Sequence, residues 1–168
     1  MVYPEIETPA PARAMDTYTV STPYGTVTIS EGGRKVTFEL YSDIHQSRHN
    51  TALFGYLQQL KKQGVTQYNT SHLNLVGRDR TLSLKRGKAK LDLVYVQRGK
   101  TYECELKTNR EIGLDITAQQ LTELVKYCEH LIVLVPRGSM EEMATILHMI
   151  NLDHQIAIQP YDSTEDED

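Results

Sequence analysis

Cysteine is scarce, with Cys104 and Cys128 the two in 168 residues. Each sits inside an apolar pattern, and neither has a Cys-x-x-Cys or histidine partner at metal-binding spacing, which argues against a disulfide scaffold or a zinc ribbon. Long apolar runs are also absent; nothing approaches the roughly 20 residues that cross a bilayer as a helix. The opening segment MVYPEIETPAPARAM has no basic stretch followed by an apolar one, so it does not read as a secretory signal and an intracellular protein is expected. Three common signatures are missing as well: the Gly-x-x-x-x-Gly-Lys phosphate loop, the Gly-x-Gly-x-x-Gly dinucleotide turn and the Gly-x-Ser-x-Gly nucleophile elbow. A nucleotide-driven motor, a dehydrogenase and a common serine hydrolase are therefore unsupported, and no nucleotide cofactor is expected.

What is present suits one globular domain with a real core, since 39% of residues are hydrophobic and 24% charged. Residues 1–15, with Pro4, Pro9 and Pro11, read as a flexible arm, residues 16–161 as a single domain, and 162–168 as an acidic disordered tail. The net charge of −4 is misleading, because Asp162, Glu165, Asp166, Glu167 and Asp168 are all in the tail and the body is close to neutral. Within that body Arg78, Arg80, Lys85, Arg86, Lys88 and Lys90 face a single acid, Asp79, across thirteen residues. Such a run is either a solvated hairpin or a strip that binds nucleic-acid phosphates.

Hydrophobic periodicity supplies the elements. Tyr18 and Val20, then Val27 and Ile29, then Val36, Phe38 and Leu40 alternate as three short antiparallel strands, an amino-terminal β-meander. Over residues 46–63 the period changes: Leu53, Phe54, Leu57 and Leu60 recur at helical spacing, Lys61 and Lys62 fall in the last turn, and Gly64 occupies the C-cap. Strands are expected at 81–85, 90–97 and 101–108, the last two joined by a tight turn at Arg98-Gly99-Lys100, and an extended stretch at 72–76 adds to the sheet. Asp115 caps a helix running to about Glu129, with Leu121, Leu124, Val125 and Cys128 on one face. The unbroken apolar run 131–135, stopped by Pro136, fits an interior strand covered on both sides. Ser139 and Glu142 have capping-box spacing for a helix with Met143, Ile146, Leu147 and Ile150 buried, and 155–159 is a final strand.

The chemistry lies in the strand 101–108. Alternation sends Tyr102, Cys104 and Leu106 to one face and Glu103, Glu105 and Lys107 to the other. The neighbouring segment 91–96 is apolar on both faces except for Asp92, and an isolated carboxylate there is costly unless a cation or hydrogen bonds compensate it. If the short turn pairs these strands, Asp92 and Glu105 meet at one end of the sheet with Lys107 one pleat beyond. Two carboxylates and a lysine around one point suit phosphodiester hydrolysis with a divalent metal, the carboxylates binding Mg²⁺ and the ammonium neutralising charge that grows on phosphate. The alternative is a buried ion pair without a metal.

Leu91-Asp92, then thirteen positions later Glu105-Leu106-Lys107, followed by a helix and an apolar strand, resembles the core of the PD-(D/E)xK nuclease superfamily over residues 46–136. The order of elements is similar to that of restriction enzymes, Holliday-junction resolvases and small viral nucleases. The resemblance implies an α/β fold with a restriction-endonuclease-like core, in which a mixed central sheet is flanked by helices. It also implies Mg²⁺ or Mn²⁺ held by Asp92 and Glu105, Lys107 positioning the attacking water, a supporting glutamine at Gln120 (or its neighbour Gln119), DNA as partner and a symmetric homodimer. The basic run from Arg78 to Lys90 then becomes a candidate grip on the DNA backbone.

The pattern departs from the family in two places. Many members carry an acid in the first core helix, where this chain has Arg48, His49 and Asn50, with Glu39 and Asp43 only upstream, and Leu91 replaces a proline. His49 can substitute as a ligand or phosphate contact, or be a polar residue near the helix start. His45 and His49 are four apart but lack the glutamate of a His-Glu-x-x-His protease. The missing helix acid leaves open a non-catalytic nucleic-acid-binding or assembly protein on a degenerate nuclease fold.

Overall fold

The computed structural model of the chain describes residues 17–22, 25–40, 44–73, 75 and 77–162. The expected arm, the turn at Pro23 and Tyr24, Asp43, and the tail beyond Asp162 lie outside the described residues.

The meander forms as the alternation predicts. Strands β1 (Tyr18–Ser21), β2 (Gly25–Ser30) and β3 (Lys35–Leu40) make an antiparallel sheet in that order. Its register aligns Tyr18, Ile29 and Val36 across the three strands and Val20, Val27 and Phe38 beside them, so the apolar residues share one face. On that face Tyr18, Val36, Phe38 and Leu40 are exposed.

Helix α1 (Ile44–Lys62) follows. It stops where Gly64 takes a φ of 92°, the N–H groups of Gly64 and Val65 closing on the carbonyls of Lys61 and Leu60, each at 3.0 Å. The central sheet has five strands, in the order β10 (Ile156–Tyr161), β9 (Leu131–Pro136), β8 (Lys100–Leu106), β7 (Leu93–Gln97), β4 (Gln67–Thr70). It is mixed: β4, β7 and β8 pair antiparallel, whereas β8, β9 and β10 are parallel. Parallel neighbours need crossovers. The first contains α2 (Asn109–Ile112) and α3 (Asp115–Leu124), the second α4 (Met140–Met149).

Two apolar layers enclose the sheet. Leu53, Leu57 and Leu60 of α1 pack on Leu93, Tyr95, Cys104, Leu106, Ile132 and Leu134. The other face, with Val94, Leu131, Val133 and Val135, is covered by Leu121 and Leu124 of α3 and Met143 and Leu147 of α4. Every residue of β9 is buried, which is why its sequence is apolar without alternation. The chain is thus a mixed α/β structure with helices on both faces of the sheet. Among the described residues no helix is long and apolar enough to cross a membrane.

Several local expectations need correction. The edge strand among the described residues is β4, at Gln67–Thr70, while Asn74 and Val76 of the expected stretch at 72–76 lie outside the described residues; the side chains of β4 are largely polar yet buried, because Asn69 donates to the Leu82 carbonyl (2.8 Å) and Thr70 to that of Leu73. Of 81–85 only the end is extended: β5 (Lys85–Arg86) pairs with β6 (Ala89–Lys90) in a two-stranded hairpin outside the main sheet. Helix α3 ends at Leu124 and continues as turns, and Asp115 is its first helical residue with Leu114 in the cap position. The capping box does not form, since the Ser139 hydroxyl donates instead to Asn109 Oδ1 at 2.7 Å.

Candidate functional site

The hairpin β7–β8 turns through two residues, Arg98 (φ 52°) and Gly99 (φ 75°), closed by the pair Gln97–Lys100. Positive φ at both central positions gives a turn whose twist matches that of the strands. The ladder runs back from there to Leu93 opposite Cys104, and Asp92 comes next, its N–H donating to the Cys104 carbonyl and its own carbonyl accepting from Ser71 N–H, each at 3.2 Å. Asp92 and Glu105 therefore reach the same end of the hairpin.

There they wall a cleft of about 390 Å³ together with Lys107 and Gln120. Lys107 Nζ lies 3.5 Å from Glu105 Oε2 and donates to Gln120 Oε1 at 2.6 Å. Asp92, Glu105 and Lys107 are 5–7% exposed, so water does little to screen them from one another. Gln120, one turn into α3, is the sequence-predicted glutamine that contacts the lysine.

Electrostatics separate the two carboxylates. Burial opposes ionisation of Asp92, but hydrogen bonds from His49 and His72, the charge on His49 and the N–H of Leu106 (2.8 Å to Oδ2) outweigh it and hold the carboxyl below its ordinary range. Glu105 goes the other way: burial, then the negative charge of Asp92, raise its carboxyl above the ordinary range despite opposition from Lys107 and His49. For His49, burial favours the neutral ring, yet the hydrogen bond to Asp92 and its charge prevail and raise the imidazole value.

Sequence reasoning named His49 without settling its place and missed His72. His49 Nε2 lies 3.3 Å from Asp92 Oδ2, and His72 Nε2 lies 3.0 Å from Oδ1. His72 follows β4, and only the long-range pairing of β4 with β7 brings it here. Its identity as a histidine is the one signal in the sequence, since the strand end before it shows only in the fold.

The basic run divides. Arg86 does not extend into solvent: its Nε and Nη2 donate to Glu103 Oε1 at 3.2 and 3.0 Å, and Glu103, 6% exposed, also accepts from His130 N–H at 3.3 Å. The third charge on that face of β8 is thus neutralised by an internal partner. Arg78 is half-buried and donates to the Thr70 carbonyl at 3.4 Å. Arg80, Lys85, Lys88 and Lys90 are exposed, and Lys90 lines the cleft.

Comparison of the chain with family models, with curated proteins and with solved structures gives no match. The site's own geometry is what bears on its chemistry.

Proposed function

We propose that the protein is a metal-dependent nuclease that hydrolyses DNA phosphodiester bonds, built on a restriction-endonuclease-like core of the PD-(D/E)xK type. Asp92 and Glu105 hold the ion, Mg²⁺ or Mn²⁺, Lys107 acts on the reacting phosphate and water, and Gln120 fixes Lys107. The observation that carries this reading is the convergence of two buried carboxylates and a buried ammonium on one open cleft. The donor set fits a dication. Asp92 stays ionised, and the raised carboxyl of Glu105 marks a site where Lys107 and His49 leave negative charge undercompensated.

A dication bound there supplies Lewis-acid polarisation of the scissile phosphate. The rest falls to the chain's own side chains. The Leu106 N–H fixes one oxygen of Asp92, so that carboxylate is oriented before substrate arrives. Gln120 accepts one proton of Lys107 and holds the ammonium at the cleft; its remaining protons can donate to phosphate oxygens as their charge grows. Lys90 at the cleft, with exposed Arg80, Lys85 and Lys88 nearby in sequence, offers cations to the DNA backbone. Cutting both strands of a duplex calls for two such sites, which a symmetric homodimer provides.

The second reading is a non-catalytic DNA-binding or assembly protein on a degenerate nuclease fold. The observation in its favour is that α1 contains no aspartate or glutamate to complete the ligand set. Incubation of labelled duplex, single-stranded and branched DNA with Mg²⁺, Mn²⁺ or EDTA, beside the Glu105→Gln variant, tests both. The nuclease cuts only with metal, and the variant loses about 100-fold or more. Salt-sensitive binding with no cutting under any condition transfers the assignment to the second reading.

A further inference from the structure

We infer that the metal centre is a mixed nitrogen–oxygen site in which His49 and His72 join Asp92, and that it takes a transition-series dication such as Mn²⁺ in preference to Mg²⁺. This deepens the proposed function, resting on Asp92 as a metal ligand but not on DNA cleavage.

Helix α1 has no aspartate or glutamate, and what it brings to the cleft beside Asp92 is the imidazole of His49. One donor atom each from His49, His72 and Asp92 lie within 4.8 Å of one another. Ligands about 2.1 Å from a common ion are roughly 3.0 Å apart when adjacent and 4.2 Å when opposite, and the two imidazole–carboxylate separations, 3.3 and 3.0 Å, are those of adjacent ligands. The rings approach from different elements, α1 and the segment after β4, and stand edge to face with centroids 5.0 Å apart. They bracket Asp92 from both of its oxygens.

The orientation of His49 is set from behind. Gln46 Nε2 donates to Asn50 Oδ1 at 2.9 Å, so that oxygen is an acceptor, and His49 Nδ1 lies 3.3 Å from it. With Asn50 Oδ1 placed to hold a proton on Nδ1, the nitrogen that faces Asp92, Nε2, is the one that would give up its proton to bind an ion. A histidine whose far nitrogen is held by an oriented carbonyl is the usual arrangement around a metal ligand. Asn50, 1% exposed, lies within α1, where a polar side chain is buried only when such work compensates it. Nitrogen donors favour first-row transition dications, with affinity rising from Mn²⁺ to Cu²⁺, whereas Mg²⁺ prefers oxygen ligands and retains its waters.

Calorimetric titration of the full chain with MnCl₂ and, separately, MgCl₂, without DNA, tests this directly. Mn²⁺ should bind at least about 10-fold more tightly than Mg²⁺. His49→Ala and His72→Ala should each weaken Mn²⁺ about 10- to 100-fold and leave Mg²⁺ within about 3-fold. His72 is partly exposed, so His72→Gln keeps the fold even if His49→Ala does not, and thermal melts verify each variant. In an optical titration with Co²⁺, the visible band expected of nitrogen ligation should weaken in the His72 variants. Equal affinity for the two ions, or Mn²⁺ binding unmoved by His72→Ala and His72→Gln, overturns the inference while leaving Mg²⁺-dependent cleavage through Asp92 and Glu105 intact. Selective Mn²⁺ binding in a protein that cuts nothing upholds the centre and removes the nuclease.

Discussion

Replacing Glu105 by Gln should stabilise the metal-free protein and shrink the stability that metal adds. Glu105 is 6% exposed, and its carboxyl sits above the ordinary range because burial and Asp92 outweigh the attraction of Lys107 and His49. The folded state thus holds this proton more tightly than the unfolded chain. Below the unfolded carboxyl value both states are protonated, and Glu105 behaves much as a glutamine would. As pH rises from there through the higher folded value, the folded protein must ionise a buried group, and stability falls. Each pKa unit is worth about 1.4 kcal/mol. A buried carboxylate beside another therefore costs the wild type on the order of 2–4 kcal/mol once fully ionised. At roughly 2–4 °C per kcal/mol for a domain of this size, Glu105→Gln should melt about 4–16 °C higher in EDTA at alkaline pH and at the same temperature in acid. Saturating metal narrows or closes the gap: at a hundred times Kd it adds about 2.7 kcal/mol to the wild type and much less to a variant lacking one anionic ligand. Thermal melts followed by circular dichroism across pH, with and without metal, read both effects. A variant that melts lower than wild type in EDTA at alkaline pH would refute the reasoning.

Two further outcomes test the surroundings of the site. Arg86→Ala leaves Glu103 buried without its guanidinium and should cost about 3–5 kcal/mol in urea unfolding, whereas exposed Lys88→Ala should stay within about 0.5 kcal/mol; equal costs would place Arg86 among the solvated bases. Gly87→Ala should destabilise by about 1–3 kcal/mol, because φ is +59° and a Cβ there would fall 2.6 Å from the Tyr127 ring; part of the loss should return in the double variant with Tyr127→Ala, which relieves the contact but not the backbone strain.

Much of this site was legible because its parts are close in sequence and obey local rules. A two-residue turn links the strands that bring Asp92 to Glu105, alternation gives Glu105 and Lys107 a common face, and the next long helix carries Gln120. What escaped depended on distant partners. The sequence Gln67-Tyr68-Asn69-Thr70 looks too polar for a buried strand until the carbonyls that accept from Asn69 and Thr70 are known, so alternation alone places neither β4 nor His72 beyond it. The charge run could not disclose that Arg86 is tied to Glu103, seventeen residues on. Ser139 had the spacing of a cap, but Asn109 competes for its hydroxyl.

The Arg98–Gly99 turn is, in effect, an indexing device. It lies roughly 17 Å along the strand from Asp92, far outside the cleft, yet its length decides which β8 residue Asp92 meets. A single residue inserted there and accommodated by strand slippage would carry Glu105 and Lys107 into the apolar layer under α1 and deliver Cys104 and Leu106 to the cleft. The chemistry would be erased with every ligand still in the sequence, so changes in loop length there act on the site as severely as substitutions within it.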